Sequence, residues 1–128
     1  MGLYEAGVTR SFTARHSILI SSSEGEPSHE HLWRFTATFR SSSLTEPQAV
    51  VVDFLDVLAV MDAIASELEG KDLNALDYFN DGRASAERVA EYLANQIIQR
   101  LSFGGKLLHR VEVTEAPGCS AAYYPGRA

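Results

Sequence analysis

Histidine is the residue type in this chain that offers the clearest metal chemistry. His29 and His31 flank Glu30 in a segment where apolar and polar residues alternate, which is typical of a β-strand. Alternate residues of a strand project from the same face about 7 Å apart, so both imidazoles could reach one ion. Two surface histidines at the start of a strand would carry the same pattern, and this HxH motif alone leaves both interpretations open.

A third histidine adds weight to the metal hypothesis. His16 falls on the apolar parity of the preceding strand pattern, near its C-terminal end. In an antiparallel pair, that end lies beside the start of the next strand. If the two strands pair across the polar segment at residues 21–28, then His16, His29 and His31 converge. Three histidines that leave one coordination position open are typical of a catalytic zinc site, so we expect zinc as the cofactor.

Three other side chains could also do chemistry, and each has an ordinary structural alternative. His109 and Glu115 share the parity of the apolar residues in a late strand, where we expect His109 to be a surface or hydrogen-bonded residue. Glu115 is either a solvated strand end or a carboxylate that pairs with a ligand donor such as an amidine. Cys119, the only cysteine, follows a turn without a flanking cation, which favours an inert thiol and excludes an internal disulfide.

The elements that must position these residues follow from the hydrophobic periodicity. Period-two alternation indicates strands, whereas spacings of three and four residues indicate helices, the first of them capped by Asp53. The predicted elements are strands at 4–20 and 29–39, helices at 54–68 and 89–101, and strands at 107–114 and 121–124. This order predicts an α+β fold, a four-stranded antiparallel sheet with two helices on one face. Because such a sheet has two open edges, we expect the chain to form a homo-oligomer.

Length and charge exclude several functional classes. The 128 residues fit one domain over 1–128, and 11 basic residues against 17 acidic ones give a net charge of −6. That balance disfavours a phosphate-backbone binder, so we expect no nucleic-acid partner. We also expect no membrane association, since no segment approaches the ~20 apolar residues of a membrane span. Without a signal-peptide pattern, a cytoplasmic protein is the expectation.

Short motifs run through nearly the whole chain in a fixed order. They are FTARH at 12–16, HEH at 29–31, VDF at 52–54, LN at 73–74, SAE at 85–87 and VEVTE at 111–115. In this order the motifs resemble those of the 6-pyruvoyltetrahydropterin synthase family, which includes the 6-carboxytetrahydropterin synthases of queuosine biosynthesis. The FxAxH and HxH pair is the most specific part of the resemblance.

The resemblance implies a fold and a set of site residues. It implies the tunnelling fold, in which a ββααββ subunit joins two others edge to edge into a barrel, and two trimers stack into a hexamer. It also implies zinc on His16, His29 and His31, with Glu115 as the anchor of a pterin substrate. Ser85, at the start of the second helix, would line the pterin pocket.

Several positions depart from the family pattern. The family's cysteine, four residues before the HxH motif, is replaced by Gly25, and its central glycine by Glu30. The Asp-His pair before the Leu-Asn is replaced by Glu69 and Gly70. A branch that cleaves the side chain to give 6-hydroxymethyldihydropterin for folate synthesis has a glutamate three residues before the HxH, where this chain has Glu26. Glu26 and Glu69 are therefore the candidate catalytic residues, with a solvated acidic loop as the alternative for Glu26.

Two functions remain open at the level of sequence. One is a zinc-dependent pterin-forming lyase that acts on 7,8-dihydroneopterin triphosphate or a close relative, for which Glu26 is the favourable sign. The other is a non-catalytic homologue that keeps the metal and binds a pterin or purine-like ligand. Loss of the cysteine and of the histidine in the Asp-His pair favours the second function.

Overall fold

Two long strands and two helices of equal length make up the frame of the fold. The computed structural model describes residues 2–21, 23–102 and 104–126. In chain order the elements are β1 (Tyr4–His16), β2 (Leu19–Ser21), β3 (Glu24–Gly25), β4 (His29–Ser41), α1 (Phe54–Leu68), β5 (Lys71–Asp72), α2 (Ala86–Arg100), β6 (Leu108–Ala116) and β7 (Cys119–Tyr123). Short 3₁₀ turns at 73–75, 77–79 and 104–107 complete the connections.

The main sheet confirms the predicted α+β architecture. Its strand order is β5-β1-β4-β6-β7, and β1 pairs with β4 in antiparallel register from Tyr4 opposite Ser41 to His16 opposite His29. Both helices pack on the same side of this sheet, against β1, β6 and β7. The four predicted strands are present, and the sheet carries one strand more than the prediction.

The additional strand, β5, pairs in parallel with β1 at the sheet edge. Gly70 follows α1 with a φ of 74°, in the left-handed region that suits glycine. Its N–H donates to the carbonyl of Thr13 at 2.7 Å, which brings the chain alongside β1. A strand of two residues is too short to leave an alternation pattern in the sequence, so the periodicity did not reveal it.

The segment around residues 17–28 also differs from the predicted strand and loop. The first strand ends at His16 and not at Ile20, because the side chain of Asn74 bonds both the N–H and the carbonyl of Ser17, at 2.9 and 3.0 Å. These backbone groups are then unavailable for sheet pairing. The residues on either side of the predicted boundary form a small hairpin in which β2 pairs with β3, so the polar segment is not an open loop throughout.

Local capping sets where both helices begin. Asp53 accepts a hydrogen bond from the N–H of Leu55 at 2.9 Å, so α1 starts where the sequence predicts. Ser85 accepts from the N–H of Arg88 at 3.3 Å and caps α2. The helix that Ser85 caps packs on β6 and β7, so the start of α2 is held relative to the sheet.

The core lies between the helices and one face of the sheet. Its largest buried side chains from the sheet include Phe12, Trp33 and Phe35, which meet apolar side chains of both helices. Within the described part of the chain, His16 is the only polar side chain in the buried class, with 2% of its surface exposed. Neither helix among the described residues is long and apolar enough to cross a membrane.

Candidate metal centre and adjoining cavity

The structure brings the three predicted histidines together where β1 ends and β4 begins. His16 and His29 are direct register partners, and His31 lies two residues further along β4 on the same face. One ring nitrogen of each histidine lies within 4.8 Å of those of the other two. Among the described residues this is the only such group of histidine, cysteine or carboxylate ligands.

Backbone carbonyl groups orient two of the three imidazole rings. Nδ1 of His16 is 2.8 Å from the carbonyl oxygen of Ala84, and Nδ1 of His29 is 2.9 Å from that of Pro27. Because a carbonyl only accepts, Nδ1 is the donor in each pair, which leaves the lone pair of a neutral ring on Nε2. Metal-binding histidines usually donate their second ring N–H to a backbone carbonyl or a carboxylate in this way.

Two of the inward-facing nitrogens have no hydrogen-bond partner among the described residues. Nε2 of His16 and Nε2 of His31 are buried side-chain atoms without a hydrogen bond. Leaving buried polar atoms unpaired costs roughly 1 to 3 kcal/mol each, so such atoms call for a ligand. Three imidazole nitrogens are a donor set that suits zinc, and the residues present therefore fit that ion.

The protonation state of His31 agrees with a ligand role. Burial lowers the pKa of His31 below its ordinary value, and the nearby His16 and His29 rings lower the pKa further. The charges of Glu115 and Glu26 act in the opposite direction and do not cancel the lowering. The neutral imidazole, which is the form that binds a metal, is thus favoured near pH 7.

Glu115 projects toward the histidines from the end of β6. Its Oε1 lies 3.6 Å from Nε2 of His16, and its Oε2 lies 3.7 Å from Nε2 of His31. The side chain is 28% exposed, so the carboxylate borders both the buried rings and the open space beside them.

A cavity of about 300 Å³ adjoins the metal-ligand cluster. Glu26, Glu115 and Ser85 all line it together with His16 and His29, so the structure brings most of the predicted site residues to one place. Glu26 accepts a hydrogen bond from the N–H of Ile18 through Oε1 at 3.1 Å, and the same oxygen lies 3.9 Å from Nε2 of His29.

Glu69, the second candidate catalytic residue, lies elsewhere. Its Oε1 accepts a hydrogen bond from the backbone N–H of Thr13 at 3.1 Å, at the edge where β5 joins β1. Glu69 does not line the cavity beside the histidines in this subunit. Within one described chain, the residue therefore supports the sheet edge.

Cys119 lies closer to the site than the sequence suggested. It is exposed and lines the same cavity as His16 and Glu26. The short turn at Pro117 and Gly118 pairs Cys119 with Ala116, next to Glu115. The Pro117-Gly118 turn was the sequence signal for this placement. In a tight hairpin, the residue just after the turn pairs with the last residue of the strand before it.

His109 lies away from the cavity. Its ring centroid is 5.3 Å from that of Tyr124, in an edge-to-face contact. Among the described residues, the cavity-lining set does not include His109, and the contact is of the ordinary structural kind expected for it.

Fold and site together define an α+β tunnelling-fold subunit with a strand-borne histidine cluster. Residues 5–126 match the model of the 6-pyruvoyl tetrahydropterin synthase family, and the chain belongs to that family. A comparison with curated protein sequences found no match.

Solved structures of similar proteins share the fold. The Caenorhabditis elegans 6-pyruvoyl tetrahydropterin synthase has a TM-score of 0.85 at 18% identity, covering 98% of each chain. A Plasmodium vivax 6-pyruvoyltetrahydropterin synthase has a TM-score of 0.73 at 16% identity, over 99% of this chain and 100% of the other. That protein is a catalytic-residue mutant, with a glutamate replaced by alanine. The Plasmodium falciparum protein has a TM-score of 0.73 at 17% identity, over 96% and 98% of the two chains.

Proposed function

We propose that this protein is a zinc-dependent lyase that acts on 7,8-dihydroneopterin triphosphate or a close relative. The observation that carries the proposal is the pair of buried, unpartnered Nε2 atoms of His16 and His31 beside a cavity lined by two carboxylates. Unpaired buried nitrogens need an ion, and an adjoining cavity with acids offers room for a polar substrate.

His16, His29 and His31 would hold the ion. Zinc bound there would lower the pKa of substrate hydroxyl groups and polarise a developing carbonyl group. Proton transfer and substrate orientation are then the tasks of the chain's own side chains. Because carbonyl groups hold the His16 and His29 rings, the cluster is organised in advance of ligand binding.

Glu26 is the proposed general base. One carboxylate oxygen is held by the N–H of Ile18, and the carboxylate lines the cavity, where it could accept a proton from the substrate side chain. Support comes from the Plasmodium vivax relative, whose mutated catalytic residue is a glutamate. A glutamate in this role favours side-chain cleavage, so the expected product is 6-hydroxymethyldihydropterin.

Glu115 and Ser85 are the proposed pterin-binding residues. A carboxylate can accept two parallel hydrogen bonds from a ring N–H and an exocyclic amino group, which is stronger than a neutral pairing. Ser85 caps α2 and lines the same cavity as Glu115, so both side chains border the space that the ring would fill.

We further propose a cytoplasmic homo-oligomer, a trimer or hexamer, built through the outer strands of the sheet. The two-residue β5 and the five-residue β7 form the sheet's edges and leave backbone groups for pairing. Assembly could also bring Glu69 near a neighbouring subunit's cavity. Light scattering should report three or six copies, and a stable monomer at micromolar concentration would contradict this part of the proposal.

A non-catalytic pterin- or purine-binding homologue is the second candidate. It is favoured by Gly25 and Gly70, which leave the positions of the family's cysteine and histidine without a reactive side chain. Such a protein would keep the metal and the ligand but would convert nothing.

One assay separates the two candidates. The zinc-loaded protein is incubated with 7,8-dihydroneopterin triphosphate, and the products are identified by mass spectrometry. We expect 6-hydroxymethyldihydropterin with little 6-pyruvoyl or 6-carboxy product. Binding of neopterin without turnover of any dihydropterin triphosphate would instead establish the binding function.

A further inference from the structure

The Glu115 carboxylate straddles two of the three histidines. Each of its oxygens faces a different imidazole, Oε1 toward His16 at 3.6 Å and Oε2 toward His31 at 3.7 Å. Both facing atoms are Nε2 nitrogens that are buried and have no hydrogen-bond partner. A role in anchoring a pterin does not by itself require the carboxylate to face these nitrogens.

The chemistry of the facing atoms indicates what lies between them. Nδ1 of His16 donates to the carbonyl of Ala84, so Nε2 of the neutral ring has only a lone pair to offer. A carboxylate oxygen also offers only lone pairs. Two acceptors that face each other in a partly buried site repel unless a proton or a cation lies between them.

The separation distinguishes these two possibilities. A shared proton would draw the nitrogen and oxygen to about 2.8 Å, as in other charge-assisted hydrogen bonds. Two ligands of one tetrahedral zinc ion, each bonded at about 2.0 to 2.1 Å, lie roughly 3.4 Å apart. The observed 3.6 and 3.7 Å separations are closer to the spacing of two ligands of one metal.

We propose that Glu115 is a fourth ligand of the metal when no pterin is bound, and that pterin binding draws it away. The pterin part of this inference rests on the proposed function, because it needs a ligand whose N–H groups compete for the same carboxylate. The ligand part rests only on the four residues of the cluster. Glu115 would thus close the coordination sphere in the resting protein and open it when substrate arrives.

This exchange couples the two binding events. The metal–carboxylate bond that must break lowers the affinity for the pterin, and a bond from a pterin hydroxyl group to the metal would offset that loss. By linkage, the pterin changes the affinity for the metal by the same net factor as the metal changes the affinity for the pterin. The open coordination position would then exist only when a pterin fills the cavity. A resting site closed in this way would not activate water in place of substrate.

Cobalt provides a test that does not depend on turnover. Co²⁺ binds the same ligand types as zinc, and its visible absorption reports the number and kind of its ligands. We expect Glu115→Gln to change the spectrum of the Co²⁺-loaded protein and to weaken zinc binding at least about tenfold. An unchanged spectrum and unchanged zinc affinity in a folded variant would overturn the ligand assignment.

Glu112→Gln is the matched control. Glu112 lies on the same strand but faces the other side of the sheet, since its neighbours Val111 and Val113 are buried in the core, and it pairs with Arg110 at 3.7 Å. The change removes the same charge without touching the histidines. A spectral change of equal size in both variants would assign the effect to net charge and overturn the proposal.

Neopterin titrations of the unmodified Co²⁺ protein and of its Glu115→Gln variant test the exchange. We expect the spectrum of the unmodified protein to converge on that of the neopterin-bound Glu115→Gln protein, because neopterin hydroxyl groups that reach the metal contribute to both spectra. Binding is followed separately by calorimetry. Calorimetric binding without a spectral change would overturn the exchange and leave the proposed pterin function intact. Absence of any binding would overturn the proposed function and the exchange, while the pterin-free comparison would still decide the ligand assignment.

Discussion

The histidine cluster and the junction of α1 and β5 differ in how their polar groups are used. At the histidine cluster, buried Nε2 atoms of His16 and His31 remain without partners in the described chain. At the junction of α1 and β5, Glu69 and Gly70 both bond to the backbone of Thr13. Buried nitrogens thus lack hydrogen bonds where a ligand is expected, whereas Glu69 and Gly70, which replace the family's Asp-His pair, bond to the backbone of β1. The first region therefore has unpaired nitrogens that a ligand could satisfy, and the second region stabilises the sheet edge.

The largest effect is expected on metal content when one histidine of the cluster is replaced. Replacing His31 by Ala should strip most of the bound metal, because it removes one of the three imidazole ligands of the cluster. The fold should persist, since the core lies between sheet and helices and His31 is only half-buried. Elemental analysis should find close to one zinc per chain before the change and little after it. An unchanged zinc content would refute the metal assignment.

The next largest effect is expected on turnover when Glu26, one of the acids that line the cavity, is replaced. Glu26→Ala should lower turnover of 7,8-dihydroneopterin triphosphate by about 10² to 10⁴, the usual loss for a general base. Zinc content and neopterin affinity should stay the same. Glu24→Ala is the control, because Glu24 lies in the same hairpin, is exposed and does not line the cavity. Full activity of Glu26→Ala would end the proposed role of this residue.

A smaller effect is expected at the pterin anchor. Glu115→Gln should weaken neopterin binding by about 1.5 to 3 kcal/mol, the scale of a hydrogen bond to a charged group, or roughly 10- to 150-fold. Calorimetry measures the change. If Glu115 also binds the metal, part of this loss is offset, because the variant no longer has a metal bond to break, and the lower end of the range applies. Equal affinities without any change in metal binding would make Glu115 an ordinary strand end.

The two glycines can be compared directly by restoring the family's side chains. A Cβ on Gly25 would meet its nearest neighbour at 3.7 Å, an ordinary contact, so Gly25→Cys should fold normally. We expect this thiol to shift products toward the 6-pyruvoyl or 6-carboxy compounds. Gly70→His places a side chain at a φ of 74°, where L residues are strained by roughly 1 to 2 kcal/mol, and should lower the thermal midpoint. If Gly25→Cys leaves the product distribution unchanged, a thiol at this position takes no part in the reaction.

The smallest effect is expected at the sheet edge. Glu69→Ala removes one hydrogen bond to the N–H of Thr13 and should lower the free energy of unfolding by about 1 kcal/mol. Denaturant unfolding gives this value. Turnover should stay within about twofold if Glu69 only supports the edge, a change too small for a general base. A loss comparable to that of Glu26→Ala would show that Glu69 reaches an active site in the assembled oligomer.

Most of the frame was predictable because its signals are local. Alternation at 4–20 and 29–39 indicated β1 and β4, which span Tyr4–His16 and His29–Ser41, and the Asp53 cap marked the start of α1. The fifth strand left no pattern, because two residues are too few for a period. The early end of β1 depends on Asn74, which is 57 residues from Ser17 in the chain and bonds to it only after folding.

By itself, the sequence determined that His16, His29 and His31 share one face, because side-chain parity along a strand is local and antiparallel pairing joins the end of one strand to the start of the next. Only the tertiary structure decided what meets them. The register of β6 on β4 turns Glu115 toward the rings, and the hairpin to β7 brings Cys119 to the cavity wall. The placement of Glu115 depends on how β6 pairs with β4, and pairing between distant segments leaves no periodic trace in the chain. The β6–β7 hairpin is local, but only the fold shows that it ends beside the cavity.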